Sequence, residues 1–261
     1  MLVMTRHESL REPLPLPAGD SLAFVDAASG KPVVTGLRCS LVLRHGGRLL
    51  GRSSVTPAGL HLWPNLPERW REPQVQAFAD VVVRDEQQRF QPLSLPWPLS
   101  ARPVGQIIGG TVLGSSRLVR VGLFGAPARR APPGATSVYG LLVWEADGAP
   151  AAWARVRLID REGRAHEGAS DAEGRLGLHL PRSCGPVAEL RVHADPAMGA
   201  ASLGLGAPDV LAFARQPAAR ALAHARGNAM YVPATAITGE PLILATQGLP
   251  PAYCELRLVP A

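Results

Sequence analysis

The side chains best suited to chemistry here are the histidines, cysteines, turn carboxylates and tryptophans, and each needs particular company before it can act. His61, within Gly59-Leu60-His61-Leu62, and His179, within Leu178-His179-Leu180, both sit between leucines on strand-like runs. Their rings therefore point away from the face those leucines occupy. Two such ligands on separate modules could meet at an interface, but a metal normally needs three or four convergent groups, so both read as exposed strand histidines in equivalent places. The three cysteines, Cys39, Cys184 and Cys254, are odd in number, far apart and without C-x-x-C spacing, which argues against both zinc binding and a disulfide framework. Cys39 and Cys254 lie in alternating runs and read as small apolar core residues.

Asp147, Asp160, Asp171 and Glu173 fall in turn signatures, where aspartate hydrogen-bonds its own backbone, and no Asp-x-Asp-x-Asp pattern offers calcium enough oxygens. H-E-x-x-H, G-x-S-x-G, a Walker A loop and a strand-borne G-x-G-x-x-G are all absent; Gly204-Leu205-Gly206 is a loop. The expectation is a protein that is not an enzyme, with no catalytic, cofactor-binding or metal-ligating residues. Trp63, Trp97, Trp144 and Trp153 could stack on a sugar, and loss of glycan binding on Trp63→Ala or Trp70→Ala would support that reading. Trp144 and Trp153 lie on or beside strands, however, where core packing is the simpler role.

The elements around these residues are short apolar runs punctuated by Gly (27) and Pro (26), a pattern of turns and strands. The fold class expected is all-β: two immunoglobulin- or prealbumin-like sandwich modules, one short helix, an extended arm and a connector. Residues 1–20 form the arm, since Pro13-Leu14-Pro15-Leu16-Pro17 cannot be helical. Residues 21–100 form the first module, with a hairpin at His45-Gly46-Gly47. Residues 101–135 form a semi-rigid connector carrying Ile107-Ile108 and the run Leu118 to Phe124. Residues 136–261 form the second module, which repeats the logic of the first. Its short helix is expected near 210–226, with Pro217 in the first turn and Gly227 as the cap.

At 261 residues, with 46% hydrophobic and 18% charged composition, the chain has material for two cores. A net charge of +6 and a pI near 10.0 would admit a polyanion. Yet Lys31 is the only lysine and the arginines are scattered among acids and strand positions, unlike the concentrated basic face of a nucleic-acid binder. The amino terminus lacks an apolar leader and no stretch approaches membrane-spanning length, so synthesis in the cytoplasm is expected.

The run Val138 to Pro181, with Gly140, Asp147-Gly148, Pro150, Ala154, Val156, Leu158, Ser170-Asp171, Gly174, Leu178 and Leu180-Pro181, resembles the carboxypeptidase regulatory-like domain. That resemblance implies a prealbumin-like sandwich without peptidase residues. The layout of Pro-Leu arm, Val-Asp-Ala-x-x-Gly-x-Pro module and Pro-rich strand before a second module looks like proteins associated with phage-tail-like contractile injection systems. It implies a structural subunit at the baseplate, collar or fibre attachment, with other particle subunits as partners in a homo- or hetero-oligomeric assembly that can be released from the cell. Candidate assembly contacts are Leu14, Leu16, Ile107, Ile108, Leu118 and Phe124. The competing reading is a carbohydrate- or cell-surface-binding sandwich.

Overall fold

The computed structural model describes residues 21–44, 47–64, 79–97, 118–181, 184, 186–201, 206–225, 229, 231, 240–250 and 254–261. The chain is all-β, with two short helices among the described residues. In the first half, β1 (Ser21–Asp26), β4 (Ser54–Val55), β5 (His61–Leu62) and β8 (Leu118–Leu123) make one sheet in the order β4-β5-β1-β8. A second sheet, ordered β3-β2-β6-β7, is made by β2 (Leu37–Leu43), β3 (Leu49–Arg52), β6 (Ala79–Asp85) and β7 (Leu93–Trp97). Alternation along β1 turns Leu22 and Phe24 inward onto Leu41, Val81, Val83, Leu95 and Val121, the core between the sheets. Burying such side chains is the main stabilising term, roughly 1.5–3 kcal/mol for each large aliphatic or aromatic residue.

The second half is one long sheet curled over its own core: β11-β10-β13-β14-β16-β9-β12, with β15 beside β9. Its strands are β9 (Thr136–Trp144), β10 (Arg155–Asp160), β11 (Ala165–Ala169), β12 (Arg175–Leu180), β13 (Val187–His193), β14 (Ala218–Ala221), β15 (Leu242–Leu244) and β16 (Glu255–Pro260). Val138, Leu142, Val156, Leu158, Leu178, Leu256 and Leu258 fill the interior.

The two halves share a construction. In each, the first strand pairs in parallel with the last: Phe24 opposite Val121, and Leu142 opposite Leu256. Each first strand then turns through a positive-φ glycine, Gly30 or Gly148, into a bridge that joins Val25 to Pro32 or Val143 to Pro150. This register corrects one expected equivalence. His61 is aligned through Leu22, whereas the matching Gly140 faces Leu176, so His179 lies three residues beyond the counterpart of His61.

Two further expectations change. The run Leu118 to Leu123, read as connector, is the closing strand of the first sandwich. The segment near 210–226 is helical only over Val210–Ala214 and returns to strand at Ala218. Asp209 caps this short helix by accepting from the N–H groups of Leu211 and Ala212. Pro217 does not open a helix; its carbonyl accepts from the Ala194 N–H at 3.0 Å, closing an excursion between β13 and β14. That excursion carries both helices, α1 (Met198–Ala201) and α2 (Val210–Ala214). No helix among the described residues is long and apolar enough to cross a membrane.

Candidate functional site

Three features concentrate the polar and apolar chemistry of the described residues: the junction between the sandwiches, a repeated aspartate–arginine turn, and one open sheet edge.

At the junction, the excursion from the second half packs on the first. Ser94 of β7 donates from both its N–H (2.8 Å) and its hydroxyl (3.1 Å) to the Pro208 carbonyl. Ala207 covers Val42 and Val82 on the outer sheet face, and Phe213 of α2 meets Phe124 with ring centroids 5.4 Å apart. Trp153, at φ +57°, is buried in the same place, and Gln216 Nε2 donates to its carbonyl at 3.0 Å. Only about 20 Å³ of void remains among these rings, room for about one water. The link after β8 is fastened too. Arg129 holds the buried Asp26 through two bonds of 3.1 and 2.7 Å, lies 4.7 Å over the Phe90 ring, and offers its carbonyl to His179 Nε2 at 3.0 Å. Burial opposes ionisation of Asp26, but the Arg129 and Ser29 bonds outweigh it and hold the carboxyl below its ordinary value. Of the expected hinge, the described part from Leu118 onward is therefore packed into a seam, and residues 101–117 lie outside the described residues.

The turn device recurs three times as Asp-x-x-x-Arg, at Asp85–Arg89, Asp160–Arg164 and Asp171–Arg175. In each, the carboxylate accepts from the arginine backbone N–H and from its guanidinium Nε, and Gln88, Gly163 or Gly174 supplies the positive φ. An open cleft of about 650 Å³ along the junction has Asp85 and Asp171 in its wall, both engaged by their own arginines.

The histidine expectation is corrected. His61 is 2% exposed, edge-on to Phe24 at 5.1 Å, with Nδ1 2.9 Å from the Ser53 hydroxyl; His179 is partly buried, with Nδ1 3.3 Å from Ser137 Oγ. Burial lowers the pKa of both rings. The reason is local: β5 is two residues long and its inward position falls on the histidine.

Cys39 is buried as expected, its thiol pushed up to about 12 by burial, whereas Cys254 is exposed at the margin of β16 and takes no core position. Cys184, which no spacing motif in the sequence partners, has its Sγ 3.3 Å from His166 Nε2, and that nitrogen is 3.5 Å from Asp160 Oδ2. Both neighbours face the same ring nitrogen, so the group cannot relay a proton as a nucleophile–histidine–acid triad does. Burial raises the thiol pKa besides.

Of the predicted assembly contacts, Phe124 is 7% exposed inside the seam and offers nothing to a partner. Leu118 begins β8; Leu14, Leu16, Ile107 and Ile108 lie outside the described residues. Trp63, Trp144 and Trp153 are buried and cannot stack on a sugar.

The exposed large apolar side chains point elsewhere. Leu49 on β3 is 50% and Val55 on β4 47% exposed, while Ile243 on β15 (51%) and Tyr139 opposite it on β9 (40%) form a second exposed pair and Val34 (45%) stands apart. Among the described residues β3 pairs only with β2 and β4 only with β5. Between them Ser53 still donates to the Cys39 carbonyl at 3.0 Å. The chain thus passes from one sheet to the other along an edge, Leu49 to Val55, that no other strand among the described residues covers.

No protein-family model matches the chain, and no curated protein does. Among solved structures, two crystal structures of the shaft pilin SpaA from Lactobacillus rhamnosus GG are similar to it. The double mutant is 9% identical over 92% of this chain and 96% of the pilin chain, with a TM-score of 0.24. The single mutant is 7% identical over 92% and 97%, also at 0.24.

Proposed function

We propose that the protein is a non-enzymatic structural subunit that joins a multiprotein assembly through strand addition at its open edge. The observation that carries this reading is the edge from Leu49 to Val55, flanked by exposed aliphatic side chains. An unpaired edge is normally blunted by charge, proline or cover; here exposed Arg52 is the one charged side chain between Leu49 and Val55, which leaves the two ends of the edge apolar and suited to a complementary strand. The arm has the matching chemistry. In an extended strand alternate residues direct their backbone groups to the same side. The N–H groups of Leu14 and Leu16 would then face the edge while Pro13, Pro15 and Pro17, which lack donors, face away. Such an arm can pair on one side and ends the sheet there.

The finer reading is a baseplate, collar or fibre-attachment component of a phage-tail-like contractile injection system with a carboxypeptidase regulatory-like second module, supported by the motifs from Val138 to Pro181 and the arm. Its test is ultracentrifugal fractionation of producing cells and their medium, following the chain by antibody. Cosedimentation with particles containing sheath and tube proteins is the expected result; a chain found wholly in the slowly sedimenting fraction contradicts it.

A further inference from the structure

We propose that Asp160, His166 and Cys184 form a zinc-binding site. Their ligand atoms all lie within 4.8 Å of one another. The observed edges, 3.3 Å from Sγ to Nε2 and 3.5 Å from Nε2 to Oδ2, are close to the roughly 3.3–3.6 Å that separates donors on a tetrahedron with bonds of about 2.0–2.3 Å. A thiolate, an imidazole and a carboxylate make a donor set suited to zinc, with the fourth position left to solvent or a second ligand.

The frame is held by elements that do not depend on the ion. Asp160 ends β10, and His166 sits on β11 opposite Leu158, so the hairpin sets their separation. Cys184 is brought over them by the chain between β12 and β13, where its N–H donates to the Pro181 carbonyl at 2.8 Å and Arg161 N–H donates to Pro186 at 3.0 Å. The Asp160 carboxylate is aimed by the Arg164 N–H, 2.8 Å from Oδ1, and by the guanidinium Nε, 2.7 Å from the same Oδ2 that faces His166; that oxygen keeps a further lone pair for the metal. That guanidinium approaches from solvent, its side chain 47% exposed, while the carboxylate itself is fully buried. Binding replaces the thiol proton by the metal, releasing one proton to solvent, and the two anionic ligands offset the charge of the divalent ion. The sequence reading missed the site because its members stand at spacings of 6 and 18 residues, outside any C-x-x-C pattern, and meet only through the hairpin and the following loop.

The test uses the full chain stripped with chelator and titrated with cobalt(II), then with zinc(II) in competition. The expected result is one equivalent of cobalt with a thiolate-to-metal charge-transfer band, displaced by zinc, and a melting temperature that rises with added zinc. Cys184→Ser should remove the band, and His166→Gln should weaken zinc binding at least roughly tenfold, while Cys254→Ser leaves both unchanged. Wild-type protein without a charge-transfer band overturns the proposal whatever the variants do, and so does a band that survives Cys184→Ser.

Discussion

A Cβ placed on Gly177 would lie 2.6 Å from the Cα of Pro127, because the link between the sandwiches runs directly over β12. Gly177→Ala is therefore expected to destabilise by about 1–3 kcal/mol, visible as a lower midpoint in urea. The Asp26–Arg129 pair belongs to the same seam, and Asp26→Asn should cost roughly 2–4 kcal/mol because the guanidinium keeps its burial and loses its charge partner. The histidines give a pH signature. Burial holds the His61 and His179 pKa values below the ordinary 6.5, so below about pH 6.5 the unfolded chain takes up protons that the folded chain refuses. Stability is then complete above pH 6.5 and declines as pH falls toward the folded pKa values, before the lowered carboxylates such as Asp26 and Asp85 add their own loss beneath 3.8. Melting temperatures between pH 7 and pH 5 should show this slope, and His61→Gln should flatten it.

At the scale of elements, the excursion between β13 and β14 is the piece whose role the sequence concealed. Alternation at Arg155-Val156-Arg157-Leu158 and the Asp-Gly-x-Pro turn at Asp147 are local signals, set by side-chain period and by a glycine at φ +70°, and the strands they announce are present. Residues 194–217 carry no such period, since their apolar members Ala207, Val210 and Phe213 answer to a surface on the other sandwich. Short inward strands mislead for a related reason: at β5 a histidine occupies the core position that an aliphatic residue would ordinarily announce. The recurring Asp-x-x-x-Arg spacing is present in the sequence, but turn chemistry alone does not announce it, because the arginine lies one residue past the turn. Phe213→Ala tests the strap, with an expected loss of about 3–5 kcal/mol. The two sandwiches should then melt separately in calorimetry, where the intact seam gives one transition.

For the whole molecule, most of the polar chemistry in the described residues fastens turns and joins the halves, and the edge from Leu49 to Val55 is uncovered among the described residues. The proposed role in an assembly needs a packed body and a surface free to pair, and the seam and the edge answer to these two needs. The most direct measurement of the proposed role is sedimentation of the full chain with the particle fraction of producing cells, compared between the natural sequence and the double variant Leu49→Lys, Val55→Lys. Both positions are exposed, so the melting temperature should hold while two charges block strand addition. Loss of the variant from the particle fraction with stability unchanged is the predicted result; a variant that sediments with the particles as the natural chain does would contradict the account.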